Sequence, residues 1–177
     1  MSTPEEPVET VWQGKWIVAR RQGKWEFVSR ARNIQAAVIV AIDDEDHVLL
    51  VEQHRVPLGQ RCLELPAGLI GDEHDGDTAL DAARRELEEE TGYRCETVEA
   101  LGYFHSSPGM VSEGFTLVRA TGLTKVSEGG GVAGEDIVVH RVALAEVPAF
   151  VAQKRAEGLA IDVKLLLLLA ETMLRRA

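Results

Sequence analysis

Two β-rich runs in WIVARRQGKWEFVSRA, parted by a Gln22-Gly23-Lys24 turn, predict a hairpin over residues 16 to 30. QAAVIVAI (35 to 42) and HVLLVEQ (47 to 53) flank the turn Asp43-Asp44-Glu45-Asp46 and predict core strands. The loop HRVPLGQR follows, and then CLELPAGLIGDEHDGD, where Pro66, Gly68, Gly71 and Gly76 interrupt any regular element. A helix is predicted over 77 to 91, with Asp77 or Thr78 as N-cap and Gly92 as the stop. Further strands are expected at 98 to 104, 114 to 120 and 136 to 144, and helices at 145 to 157 and 162 to 175, the last capped by Asp162. Strands, one central helix, more strands and closing helices indicate a mixed α/β or α+β sandwich.

Composition narrows this picture. A chain of 177 residues, 45% hydrophobic and 27% charged, suits one buried core. Its formal charge of −10 repels polyanions, so neither nucleic acid nor an anionic membrane is an expected partner, and an anionic small substrate would need a divalent metal or a local Arg. Cys62 and Cys95 match no zinc spacing and no disulfide framework, which fits inert thiols in a reducing cytoplasm. MSTPEEPVET lacks the apolar segment of a secretory signal. LLLLLA at 165 to 170 falls short of the roughly 18 residues that span a membrane. His47, His54, His74, His105 and His140 show no metal-site spacing and read as surface or turn residues.

The central helix carries the candidate chemistry. RRELEEETGY places Glu86, Glu88, Glu89 and Glu90 within two turns, and like charges at such spacing repel. At about 100° per residue, Glu86, Glu89 and Glu90 share one arc beside the apolar stripe of Leu80, Ala83 and Leu87. Glu88 points elsewhere, toward Asp77, Asp81 and Arg85, with Asp81 and Arg85 spaced as an i,i+4 pair. The arc is either a solvated face or a hard-oxygen site for Mg²⁺ or Mn²⁺.

From Gly71 to Tyr93, GDEHDGDTALDAARRELEEETGY resembles the Nudix box, the signature of Nudix hydrolases, with Gly71, Arg85, Glu86, Leu87, Glu89, Glu90, Gly92 and Tyr93 in register. Asp77 stands where the signature has its first Glu, a residue that in the family holds the helix together with the Arg. VEQHRVPLGQRCLELPAGLIGDE is similar to the segment leading into the box in the ADP-ribose pyrophosphatase branch, and Pro108 lies 16 residues beyond Gly92, a mark of that branch. The resemblance implies a Nudix-type α/β/α sandwich with a mixed sheet in residues 34–177, preceded by an antiparallel hairpin in 1–33 that serves dimerisation.

It also implies a site. The carbonyl of Ala67 with Glu86 and Glu90 would hold Mg²⁺, with Mn²⁺ as the alternative, and Glu89 and Glu135 would complete the acidic set. Arg55, Glu64, Met110 and Glu113 would line the substrate site, and Trp16 or Trp25 could stack on a base, reaching across a homodimer. The general base is expected from a loop after the box: GGGVAGEDIVVH offers Glu135 and Asp136 behind glycines suited to a hinge, with Glu135 preferred and Ala133 at the other acidic position of the family. The implied reaction is metal-dependent hydrolysis of a nucleoside diphosphate sugar, ADP-ribose first. Alternatives are GDP-mannose or another sugar nucleotide, or a catalytically weak nucleotide-binding domain.

Overall fold

The computed structural model describes residues 6–71, 77–132 and 134–174, so His74, Gly76 and Ala133 lie outside the described residues. Eleven strands and three α-helices alternate in the order β1 (Glu9–Gln13), β2 (Ile17–Gln22), β3 (Trp25–Arg30), β4 (Gln35–Ala41), β5 (His47–Arg55), β6 (Gln60–Glu64), β7 (Ala67–Ile70), α1 (Ala79–Thr91), β8 (Tyr93–His105), β9 (Gly114–Lys125), β10 (Val138–Ala143), α2 (Val147–Ala156), β11 (Ala160–Ile161) and α3 (Leu166–Leu174) among the described residues. They form a three-stranded sheet β1-β2-β3 and two four-stranded sheets, β10-β5-β6-β11 and β7-β4-β9-β8. Pairing is mixed: β4 runs parallel to β9 but antiparallel to β7, and β11 is parallel to β6. This is the α/β sandwich expected, with its mixed pairing divided between two sheets.

Alternation along β4 explains the layers. Val38 and Val40 face a core shared with Val48, Leu50, Leu63, Val147, Val151 and Leu165, on the side of α2 and α3. Ala37, Ile39 and Ala41 face the other way, against Ala83 and Leu87 of α1. A strand buried on both faces reads as the continuous apolar run seen here. Small Ala side chains on both elements let α1 lie close to the sheet, and Leu80, Ala83 and Leu87 do form its inward stripe.

The N-terminal hairpin has a third strand. β2 and β3 pair from Ile17↔Arg30 to Gln22↔Trp25 around Gly23 in the left-handed region, as predicted, and β1 adds to the outer edge of β2. The pattern of TVWQ is too short to announce a strand. β6 and β7 occupy the stretch that Pro66 and the glycines were expected to interrupt; Pro66 falls between them, its carbonyl accepting from the Ile39 amide at 2.8 Å. Helix α1 begins after Thr78, whose hydroxyl accepts from the Asp81 amide while the Asp81 carboxylate reaches back to the Thr78 amide. Asp81 is thus engaged in the cap, where the spacing had predicted a pair with Arg85. The closing helices each start with a turn of 3₁₀ helix, Leu144–Glu146 and Val163–Leu165, the second capped by Asp162. Among the described residues no helix is long and apolar enough to cross a membrane.

His140 departs from the surface expectation. It lies on β10 with Nε2 3.1 Å from an oxygen of Glu52, its ring edge-on to Phe150. Glu52 is buried on β5 and also accepts from Arg61 Nε at 2.7 Å and Lys154 Nζ at 3.1 Å. Burial would raise its pKa, but the bonds from Lys154, Arg61 and His140 outweigh burial and bring it from 4.5 to about 2. A carboxylate with its pKa depressed on folding stabilises the protein above its unfolded value, and that stability is lost as pH falls through the folded one. The thermal midpoint should therefore drop as pH falls from 4.5 toward about 2. Glu52→Gln should lower the folding stability at neutral pH by on the order of 1–3 kcal/mol and flatten the acid limb. Circular dichroism melts against pH test this; parallel curves for both proteins would remove Glu52 from the account.

Candidate active site

β5, β7, α1 and the loop after β9 meet at a cavity of about 250 Å³ lined by Gln53, Arg55, Ala67, Gly68, Leu69, Arg85, Glu86, Glu89, Glu90, Val132 and Glu135. Gln53 and Arg55 reach it together because alternate strand residues share a face. Arg55 is fixed by a two-pronged pair with buried Glu64, Nε to Oε1 at 2.6 Å and Nη2 to Oε2 at 2.8 Å. Arg55, Ala67, Glu86, Glu89, Glu90 and Glu135 thus line one cavity, with Glu64 behind Arg55.

The four glutamates of α1 divide among three partners. Glu88 turns away and receives two bonds from Arg94, at 2.9 and 2.8 Å. Arg85 lies 3.0 Å from Glu86 and 3.4 Å from Glu89, and its Nη2 is 3.9 Å from Asp77. The shorter Asp at 77 therefore still reaches the arginine. Glu90 is 5% exposed, and its Oε2 accepts from the Ala67 amide at 3.0 Å. Burial pushes its carboxyl up to about 8, against the Ala67 bond, and the charges of Glu86 and Glu135 push the same way. A buried carboxylate among like charges is a place for a cation.

Among the described residues no three acidic or sulfur and nitrogen groups already converge on one metal-sized point. Glu86 leans on Arg85, and Glu135 Oε2 accepts from the Val132 amide at 3.0 Å. The donor set is nevertheless all hard oxygen, which fits Mg²⁺ or Mn²⁺. Gly68 makes room for it: a Cβ there would stand 1.9 Å from Glu86 Cδ.

The glycine-rich loop is docked on the helix that bears these carboxylates. Gly130 and Gly131 donate to the carbonyls of Glu90 and Glu89 at 2.9 and 3.0 Å, and Val126 and Ser127 donate to Gly92 at 2.8 and 3.1 Å. These bonds satisfy carbonyls that every helix end leaves open. Where the sequence suggested a hinge, Gly129 serves a close approach of backbones: a Cβ there would lie 2.4 Å from the Thr91 carbonyl carbon. Asp136 turns out of the cavity, its carboxylate 2.7 Å from Arg61 Nη1.

Four predicted substrate residues stand elsewhere. Met110 and the segment around it hold the N-terminal sheet: the Val28 amide donates to the Met110 carbonyl at 3.0 Å, and Glu113 pairs with Arg30. Glu113 lines a larger cavity of about 600 Å³ with Arg20, Phe27, Gln35 and Tyr103. That cavity includes no α1 carboxylate, so the acidic chemistry belongs to the smaller one. Trp16 is 45% exposed with Lys15 Nζ 4.5 Å from its ring centre, and Trp25 is 61% exposed; Trp12 is exposed too, so none of the three is a core residue. Sequence reading missed Gln53, which its spacing from Arg55 could have revealed, and Gly68, whose seat under Glu86 leaves no sequence signal.

Gly68→Ala should force the flexible end of Glu86 aside at a folding cost of about 1–3 kcal/mol. If a divalent ion binds between Glu86 and Glu90, the rise in thermal midpoint that Mg²⁺ or Mn²⁺ gives the unaltered protein should largely vanish in this variant. An equal rise in both would place the ion away from Glu86.

The NUDIX domain family matches residues 32–159. The chain is 37% identical over 125 residues to the methanol dehydrogenase activator of Bacillus methanolicus, covering 70% of this chain and 66% of that one. It is 34% identical over 111 residues to the ADP-ribose pyrophosphatase of Bacillus subtilis, covering 59% of this chain and 58% of the relative. The chain spans between 44% and 66% of the length of the first curated relatives it matches. The crystal structure of an ADP compounds hydrolase superposes with a TM-score of 0.70 at 25% identity, over 98% of this chain and 97% of that one. With the box in register on α1, its carboxylates gathered over Ala67 and the family match running from the end of the hairpin past α2, this chain belongs to the Nudix hydrolase family.

Proposed function

We propose that this protein hydrolyses the diphosphate of a nucleoside diphosphate sugar, with ADP-ribose as the leading substrate and AMP and ribose 5-phosphate as products. The observation that carries the reading is Glu90, a buried carboxylate held by one amide and crowded by Glu86 and Glu135. Glu86, Glu90 and the Ala67 carbonyl would hold Mg²⁺ or Mn²⁺, with Glu89 and Glu135 at the edge of the same cavity. A divalent ion there would neutralise the diphosphate and acidify water bound to it. Arg55, braced by Glu64, is placed to pair with a phosphate. Glu135 is the group proposed to take the proton from the attacking water as the new phosphorus–oxygen bond forms and the bridging one breaks. The ADP-ribose preference draws on the relative and the solved structure named for ADP-linked compounds.

The same reading includes a homodimer in the cytoplasm. Val11, Trp12, Ile17 and Trp25 leave a small three-stranded sheet with exposed apolar side chains, and such patches mark contact surfaces. Cys62 and Cys95 are buried free thiols, and burial pushes Cys62 up to about 12, as suits a structural role.

Turnover of ADP-ribose, ADP-glucose and GDP-mannose should require Mg²⁺ or Mn²⁺. Glu90→Gln should lower it by orders of magnitude while raising metal-free stability, because a neutral amide escapes the cost of keeping a buried carboxyl protonated at neutral pH. Glu135→Gln should cut kcat by about 10²-fold to 10⁴-fold with a smaller change in affinity. Full activity in Glu90→Gln would sink the metal assignment, and no turnover of any compound would leave a nucleotide-binding domain.

Deleting residues 1 to 30 should give a monomer or an aggregating species with weaker nucleotide binding. Light scattering and calorimetry with a non-hydrolysable analogue check this. A truncated protein that stays dimeric and binds normally would limit the sheet to covering its own domain.

A further inference from the structure

Glu135 is held in place from two sides. Upstream, the amides of Gly130 and Gly131 are tied to α1, and the Val132 amide bonds the Glu135 carboxylate. Downstream, Arg61 of β6 grips Asp136 twice, Nη1 to the carboxylate at 2.7 Å and Nη2 to the main-chain carbonyl at 3.0 Å. Arg61 is itself clamped, with Nε on Glu52 Oε1 at 2.7 Å and Nη2 on the Glu52 carbonyl at 2.9 Å. Lys154 and His140 hold the other oxygen of Glu52. The planar guanidinium therefore links the main chain of β5 to the main chain next to Glu135.

We infer that Arg61 is a positioning residue that sets where Glu135 stands relative to the α1 carboxylates, by holding the main chain at Asp136. This rests on the role proposed for Glu135. The hold lies mainly in the carbonyl bond. The Asp136 side chain is 86% exposed, and an ion pair so open to water contributes about 0–1 kcal/mol. A lysine keeps the charge but has no planar fork with which to bridge Glu52 and Asp136 at once. Displacing a reacting group by about 1 Å can cost on the order of 10²-fold in rate.

The test is Arg61→Lys in the full chain, read by amide hydrogen exchange without metal and by steady-state kinetics on ADP-ribose with Mg²⁺. Exchange at Val132 and Glu135 should quicken about 10-fold while Gly130 and Gly131, tied to α1, stay protected. The kcat should fall about 10-fold to 100-fold with KM within about threefold. Asp136→Asn should stay within about threefold of the unaltered protein, since only the exposed pair is weakened. Unchanged exchange and kcat in Arg61→Lys overturn the inference. So does protection lost across β5 as well, which would mark a general packing role, and so does a loss in Asp136→Asn as deep as that in Arg61→Lys. Glu135→Gln separates the two levels. If it is inactive while Arg61→Lys changes nothing, the positioning role alone fails; if it is fully active, the role of Glu135 fails.

Discussion

Helix α1 must lie flush on β4 for anything else in the site to form. Ala37 and Ala41 on the strand and Ala83 on the helix allow that approach. Only then does Glu90, at the end of the inward stripe, meet the Ala67 amide of β7, the strand paired to β4. The cost is a carboxyl taken out of water beside Glu86 and Glu135, with Arg55 offsetting too little of the penalty, so that it holds its proton until about pH 8. A protein tolerates such a group where something else supplies the missing charge, so the packing of an ordinary sandwich and the acidity of the cavity are one constraint.

The remaining carboxylates show how that constraint is contained. Arg85 stands between Glu86, Glu89 and Asp77, and Arg94 removes Glu88 to the outside. The opposite face of β5 repeats the theme with the signs reversed, one buried glutamate among three basic side chains, and there the pKa moves down. Adjacent residues of one strand thus serve two charge systems, Glu52 on one face and Gln53 with Arg55 on the other.

What the sequence revealed followed the strength of the local signal. β4, β5 and α1 were legible because long apolar periodicity and a capping residue agree. β1, β6 and β7 were not, being short and, for the last two, flanking a proline, so their existence depends on partners distant in the chain. β8 begins at Tyr93, earlier than expected, because Arg94, Glu96 and Thr97 show no alternation of apolar residues while pairing with Thr124 and Thr121 of β9 supplies the strand bonds. In the site, helical geometry sufficed to group Glu86, Glu89 and Glu90. Arg55 and Glu64 needed the resemblance to be singled out, and Arg61 left no mark at all, since its partners Glu52 and Asp136 come from two segments distant in the chain. His140 was misplaced for the same reason: its neighbours Glu52 and Phe150 are close only in space.

The contact between Gly92 and Gly129 bears on how such a chain can vary. A Cβ on Gly92 would stand 2.3 Å from the Ser127 carbonyl oxygen, and one on Gly129 would stand 2.4 Å from the carbonyl carbon of Thr91; both residues have left-handed φ, at 75° and 67°. The obstacles are backbone atoms on both sides, so no repacking of side chains relieves them. A change at either position is therefore beyond rescue by a second substitution at the other, and drift in this family's descendants can lengthen or shorten the loop around the pair more readily than it can replace either member.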